Sequence, residues 1–247
     1  MNPTPLRVGI TPAHTCSYLP EQYEQLIVLM DDNYRTASGY EALLQAGFRR
    51  SGNDIYRPHC TQCSACQSLR IKAAEFAPSR KQRRVLHKNS DISWQLNDTD
   101  KPAYYALYER YIQQRHFDGS MYPPSYSQYK QFLFSDWLNP VFLEFYQRDK
   151  LIAVAVTDAL PDSLSAMYTF YDPEFEARSL GTYAILTQLQ LALHMGRTYL
   201  YLGYQVDNCK KMNYKSSYLP HERLENKVWK KYTIPTDRTL HNQLNPA

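Results

Sequence analysis

Three cysteines stand at i, i+3 and i+6 in "RPHCTQCSACQSLRI", residues 57 to 71. Thiolates at that spacing suit part of a zinc or iron–sulfur ligand set, or a redox device; small buried thiols are the plainer reading. Cys60, Cys63 and Cys66 supply three donors, where tetrahedral zinc or a cubane cluster usually takes four. The cysteines sit inside a second chemical feature. From Arg49 to Lys88 the cations are Arg49, Arg50, Arg57, Arg70, Lys72, Arg80, Lys81, Arg83, Arg84 and Lys88, opposed by Asp54 and Glu75 alone. Such a cluster favours a polyanion, because lysine and arginine neutralise phosphates and release counterions. A third cluster, "CKKMNYKSSY", mixes lysines with aromatic rings. No Ser-His-Asp type constellation is evident.

These groups need a scaffold, and the composition allows one. The 247 residues suffice for one large domain or two modest ones, with 43% apolar and 21% charged residues as in ordinary globular proteins. Twenty-two tyrosines against nine phenylalanines suit a polar groove or an interface. The net charge of +4 is mild and hides the local basic cluster. No stretch approaches the ~18 apolar residues of a membrane span. The N-terminal stretch lacks a signal-peptide pattern, and five cysteines read as reduced thiols or ligands, which together predict a cytoplasmic protein.

The apolar spacing predicts short helices in "PEQYEQLIVLM" and "YEALLQAGF", the second capped at Gly47. "LRIKAAEF" alternates like a strand, and "SRKQRRVLHKN" is a basic segment. Past residue 95 the pattern changes. "DKPAYYALYERYIQQRH" and "SYSQYKQFLFSDWL" read as helices, "VFLEFYQ" and "LIAVAVTDAL" as a hairpin, and "SLSAMYTFYDP" as a third strand. A long helix, "SLGTYAILTQLQLALHMG", and the strand "TYLYLGY" follow. The expected fold is α/β. A Cys-rich, basic N-terminal domain covers residues 1–90, and a domain of residues 91–247 has the strand order of GNAT-like acyltransferases with a mixed sheet.

Seven phrases in order, "CSYLPEQ", "YEALLQAGFRRSG", "YRPHCTQCSACQSLRI", "PSRKQRRVLHKN", "YDPE", "SLGTYAILTQLQLA" and "YLGYQVDNCKKMNYKSSYLP", give the chain a close resemblance to the arginyl-tRNA–protein transferase family. More narrowly, it resembles the bacterial aspartate/glutamate leucyltransferase branch. The resemblance implies transfer of leucine from Leu-tRNA to the N-terminal α-amine of proteins beginning with Asp or Glu, marking them for N-degron degradation. It also implies Cys16 as the fourth member of a set with Cys60, Cys63 and Cys66, able to hold zinc or an iron–sulfur cluster. Some relatives carry two cysteines in the early segment; here the second position is Leu19. Cys209 stands apart and reads as structural, and no cofactor is required for the transfer.

An aminoacyl ester is already activated, and a free α-amine with pKa about 7.7–8.0 is partly neutral at cellular pH. Placement of the two reactants can supply on the order of 7–11 kcal/mol of the barrier. The transfer site is therefore expected at the strand end Tyr201, Gly203 and Tyr204. Bidentate arginines suit the acceptor carboxylate, with Arg80, Arg83 and Arg84 as first choices and Arg49 and Arg50 behind them. The same arginines also suit tRNA phosphates. Lys210, Lys211, Tyr214 and Lys215 are expected at the tRNA end, with Ser179 and Gly181 at a helix N-terminus and Asp172 as anchor for the aminoacyl ammonium.

Three other functions compete. An arginyl donor would need an acidic pocket, and a metal-containing nucleic-acid-binding module would leave the acyltransferase half idle. An acyl-CoA N-acyltransferase would need a Gly-rich pyrophosphate loop, whereas "YDPEFEARSLGTY" has one glycine.

Overall fold

The computed structural model describes residues 6–234. In chain order the elements are β1 (Val8–Ile10), β2 (His14–Thr15), β3 (Tyr23–Glu24), β4 (Leu26–Leu29), α1 (Ala37–Gln45), β5 (Arg49–Ser51), β6 (Asp54–Pro58), β7 (Gln67–Lys72) and α2 (Arg80–Lys88). There follow β8 (Ile92–Asn97), α3 (Pro102–Arg115), α4 (Tyr126–Leu133), β9 (Val141–Gln147), β10 (Lys150–Ala159), β11 (Ser163–Tyr171), α5 (Leu180–His194), β12 (Tyr199–Gln205), β13 (His221–Glu225) and β14 (Val228–Tyr232).

Local chemistry fixes most helix starts. The Thr36 hydroxyl accepts the Gly39 N–H at α1, Ser79 and Gln82 cap α2 reciprocally, Pro102 opens α3 and Ser125 caps α4. The strands form an eight-stranded sheet, β14-β13-β7-β12-β11-β10-β9-β8, beside a four-stranded one, β1-β4-β6-β5. In the large sheet β11 and β12 run parallel, joined by α5, and the other neighbours are antiparallel. Three antiparallel strands, a helix and a parallel strand make up the acetyltransferase-like core expected from the sequence.

Strand alternation splits the core between two faces. On one face Leu180, Ala184, Ile185 and Leu189 of α5 pack on Leu69, Leu143, Phe145, Leu164 and Leu200. On the other, α3 and α4 cover Phe142, Val154 and Phe170, while α1 and the small sheet cover Leu160 and Tyr201.

One expectation needs revision. "PEQYEQLIVLM" is not helical: its apolar run pairs as β4 with β1 on one side and β6 on the other. A short apolar run carries no periodicity that separates strand from helix, and the neighbouring strands decide it. The basic segment, for its part, is helix α2. The expected boundary at residue 90 falls between α2 and β8; β7, from the N-terminal side, is an inner strand of the large sheet.

The feature that positions chemistry is a gap between neighbours. β11 and β12 pair at Ser163–Tyr199, Leu164–Leu200 and Ser165–Tyr201 and then separate. Beyond that point β12 stays with β7 and β11 stays with β10. Each strand carries an irregularity at the fork, where Met167 and Leu202 drop out of the pairing register. An extra residue on one strand bends it away from its neighbour, so the two bulges open the fork. Gly203 follows the second bulge with φ +83°, a conformation other residues adopt at a cost.

Candidate functional site

Arg49 leaves β5 and reaches this fork. Its Nη2 donates to the Ala166 carbonyl of β11 at 2.8 Å, and the guanidinium lies 3.7–3.8 Å from where a Cβ on Gly203 of β12 would be. The other terminal nitrogen, Nη1, is buried without a hydrogen-bond partner. Lys215 comes to the same place from the turn after β12: Nζ donates to the Tyr204 carbonyl at 2.8 Å. Arg49 is 7% exposed and Lys215 5%. Burial pushes the Lys215 ammonium down to about 7, with the Arg49 guanidinium as the next cause. Two buried basic side chains thus meet where β11 and β12 part, and among the described residues neither is in an ion pair with a carboxylate.

Around the mouth the groups are aromatic and basic. Tyr111 of α3 packs on Tyr171 of β11 with centroids 4.8 Å apart and on His116 at 5.0 Å. Lys210, Lys211 and Tyr214 are exposed, and Lys211 pairs with Asp118 at 3.3 Å. Ser179 precedes α5 with φ +56°. A Cβ on Gly181 would meet nothing within 4 Å, so Gly181 is not there for close packing inside the chain and leaves the start of α5 open.

Helix α2 flanks the mouth. Gln82 donates to the Ser217 carbonyl beside the Lys215 turn, and Lys88 donates to the Ala177 carbonyl just before α5. Its outer face carries Arg80, Arg83, Arg84, His87 and Lys88 along one shallow depression with no acid among them. These arginines are exposed, and a water-facing cation gives an acceptor carboxylate little.

Other candidates are engaged within the fold. Arg50 is sealed away from any tRNA: Nε and Nη2 grip Asp158 at 2.5–3.0 Å, with both side chains fully buried. Asp172 accepts the Glu174 N–H through Oδ1 and lies 2.9 Å from Lys150, with its Oδ2 buried and without a hydrogen-bond partner. Tyr201 faces the core, where its hydroxyl accepts from Arg70, which lies between Tyr199 and Trp229. Of the strand-end candidates, Gly203 lies at the fork. The Tyr204 hydroxyl instead donates to the Gly47 carbonyl. The sequence groups Arg49 and Arg50 together; alternation along β5 sends one to the gap and the other to Asp158.

Cys16, Cys60, Cys63 and Cys66 share a cavity of about 760 Å³, with Tyr18, Tyr56 and Tyr204 also in its wall. The Cys66 thiol is pushed up to about 12, first by burial and then by the other three cysteines. As they stand the four do not form a ligand shell: among the described residues no three Cys, His, Asp or Glu side chains are grouped to hold an ion. Nor, among those residues, is any helix long and apolar enough to cross a membrane.

Comparison with known proteins covers nearly all of this structure. Residues 14–84 match the arginine-tRNA-protein transferase N terminus and residues 103–225 the corresponding C terminus. The aspartate/glutamate leucyltransferase of Aeromonas salmonicida is 64% identical over 225 residues, covering 91% of this chain and 94% of the relative. That of Pseudoalteromonas atlantica is 49% identical, covering 91% and 96%. Among solved structures, L-PGS from Bacillus licheniformis aligns at TM-score 0.45 and 11% identity over 73% of this chain and 65% of that one.

Proposed function

The chain belongs to the arginine-tRNA-protein transferase family, and we propose that it transfers leucine from Leu-tRNA to the N-terminal α-amine of proteins beginning with Asp or Glu. The product's new N-terminal leucine would mark it for N-degron degradation. The geometry that carries this reading is the β11–β12 gap with a basic, tyrosine-lined mouth. The relatives' shared name supports leucine as the cargo and Asp or Glu as the acceptor.

The reaction needs few groups. The neutral amine attacks the ester carbonyl carbon, the carbon–oxygen bond to the terminal ribose breaks, and the ribose hydroxyl finishes with the amine's surplus proton. The gap holds both reactants in line. Open N–H groups at the start of α5, beside Ser179 and Gly181, face a site where the ester oxygen gains charge. No metal takes part in any of these steps; a zinc or iron–sulfur group held by the four cysteines would be structural.

Leucine is favoured over arginine by the charges near the gap. Asp158 is paired with Arg50 and Asp172 with Lys150, so neither is left to meet a donor guanidinium. An acyl-CoA donor is disfavoured because Pro173–Arg178, ahead of α5, forms a 3₁₀ turn rather than a Gly-rich pyrophosphate cradle.

Helix α2, with Lys210 and Lys211, is assigned to tRNA phosphates, and Tyr214 to stacking on an unpaired terminal base. Reversing three charges together, Arg80→Glu, Arg83→Glu and Arg84→Glu, is expected to lower kcat/KM for Leu-tRNA by roughly a hundredfold and to make its salt dependence shallower, because the phosphate contacts and their counterion release are lost. The KM for an Asp-starting peptide should stay within a few-fold. Steady-state transfer at two salt concentrations checks both numbers, and unchanged use of Leu-tRNA would remove α2 from the tRNA path.

A further inference from the structure

Buried cations without a counter-ion are costly, and folds that keep them usually have a use for them. The fork holds two. Arg49 spends one nitrogen on Ala166 and keeps Nη1 unpartnered, and Lys215 is held by a carbonyl and the Met212 sulfur. The groups facing the Lys215 ammonium are Arg49 from β5, the thiols of Cys66 and Cys209, and the Tyr214 ring. No aspartate or glutamate is among them.

Elsewhere among the described residues most buried charges are paired, although Asp31 is buried with only Asn33 as its partner. Arg50 has Asp158, Arg223 has Asp207 and Glu144 has Lys101. What sets the fork apart is that two buried basic side chains, neither in an ion pair, lie together. We propose that Arg49 and Lys215 together form the subsite that receives the side-chain carboxylate of the acceptor's N-terminal Asp or Glu. This assignment rests on the leucyl-transfer reading and adds to it the residues that read the acidic acceptor.

Shape favours a carboxylate over a phosphodiester. Both cations lie buried where two strands of one sheet part, and a phosphodiester brings a ribose on either side. A carboxylate is the slender end of a single side chain. It shares a Cα with the amine, so seating it there places the nucleophile at the gap. Guanidinium N–H groups match carboxylate geometry, and Arg49 has two free on Nη1. An Asn or Gln side chain offers an oxygen but no charge, and would leave both cations unneutralised.

The test uses the full chain without tRNA, titrated calorimetrically with tetrapeptides beginning Asp or Asn. The wild type is expected to prefer the Asp peptide by at least about 30-fold. Arg49→Gln should abolish that preference and Arg49→Lys restore part of it. Lys215→Met should weaken the Asp peptide roughly tenfold or more while leaving the Asn peptide alone. Because Lys215→Met removes a buried charge, it keeps the test decisive if Arg49→Gln folds poorly. Transfer assays with the same peptides separate the two readings. A wild type that binds Asp over Asn yet moves no leucine would sink the transfer and keep the subsite. Leucine transfer with the Asp preference intact in both variants would overturn the subsite alone. Equal losses for Asp and Asn peptides, tracking weaker Leu-tRNA binding, would give the cations to the tRNA and also overturn it.

Discussion

Asp158→Ala is expected to cost about 3–5 kcal/mol of stability, because it leaves the Arg50 guanidinium buried with no counter-charge. In the intact protein Arg50 donates to both carboxylate oxygens and to the Leu133 carbonyl, and neither side chain of the pair meets solvent. The pair ties β5 of the small sheet to β10 of the large one, one residue from Arg49. Removing both charges is a different experiment. The double variant Arg50→Met, Asp158→Leu should recover most of the loss, since a buried pair is often worth little more than apolar residues of similar size. Urea unfolding of the two single variants and the double one gives the coupling energy directly. A single-variant loss below about 1 kcal/mol would mean that the pair is hydrated.

Lys215→Met is expected to have the opposite effect on stability. The folded chain releases the Lys215 proton near pH 7, whereas the unfolded chain keeps it to the ordinary 10.5. Between those values unfolding takes up a proton, so raising the pH favours the native state; below about 7 both states are charged and the burial penalty stands in full. Each pKa unit is about 1.36 kcal/mol, so the penalty is on the order of 4–5 kcal/mol at pH 6, less about 1 for the lost bond to the Tyr204 carbonyl. The variant should therefore gain roughly 3 kcal/mol at pH 6, and the gain should shrink as the pH approaches 10. Denaturant titrations at pH 6, 8 and 9.5 follow it. A stabilised variant with impaired use of acidic acceptors is what a residue retained for function looks like. A variant destabilised at every pH would show that Lys215 is structural.

Much of this arrangement is legible in the sequence, and the exceptions have physical causes. Helices α3, α4 and α5 announce themselves through caps and apolar spacing, and the β9–β10 hairpin through its turn. Strand β4 does not, because "LIVL" is as apolar as a helix stretch and its pairing partners are distant in sequence. The basic character of residues 49–88 is plain, but not which cations are buried. Arg80, Arg83 and Arg84 look like the natural carboxylate readers and face water on α2. Arg49 looks like one more cation in a run, yet it reaches the fork because β5 packs across it. Two adjacent arginines in "FRRSG", ahead of a tight turn, are the one local hint: a strand there must turn them to opposite sides. The fork itself depends on bulges at Met167 and Leu202, which no residue pattern in those strands marks out.

The central claim rests on the cargo and its destination. The most direct measurement incubates the full chain with tRNAs charged with labelled leucine or labelled arginine and with peptides beginning Asp, Glu, Asn or Ala, each free or N-acetylated. Labelled leucine is expected on the free Asp and Glu peptides, with none on the acetylated ones, little on Asn or Ala, and little arginine on any. No leucine on any peptide, or arginine transferred as readily as leucine, would contradict the account.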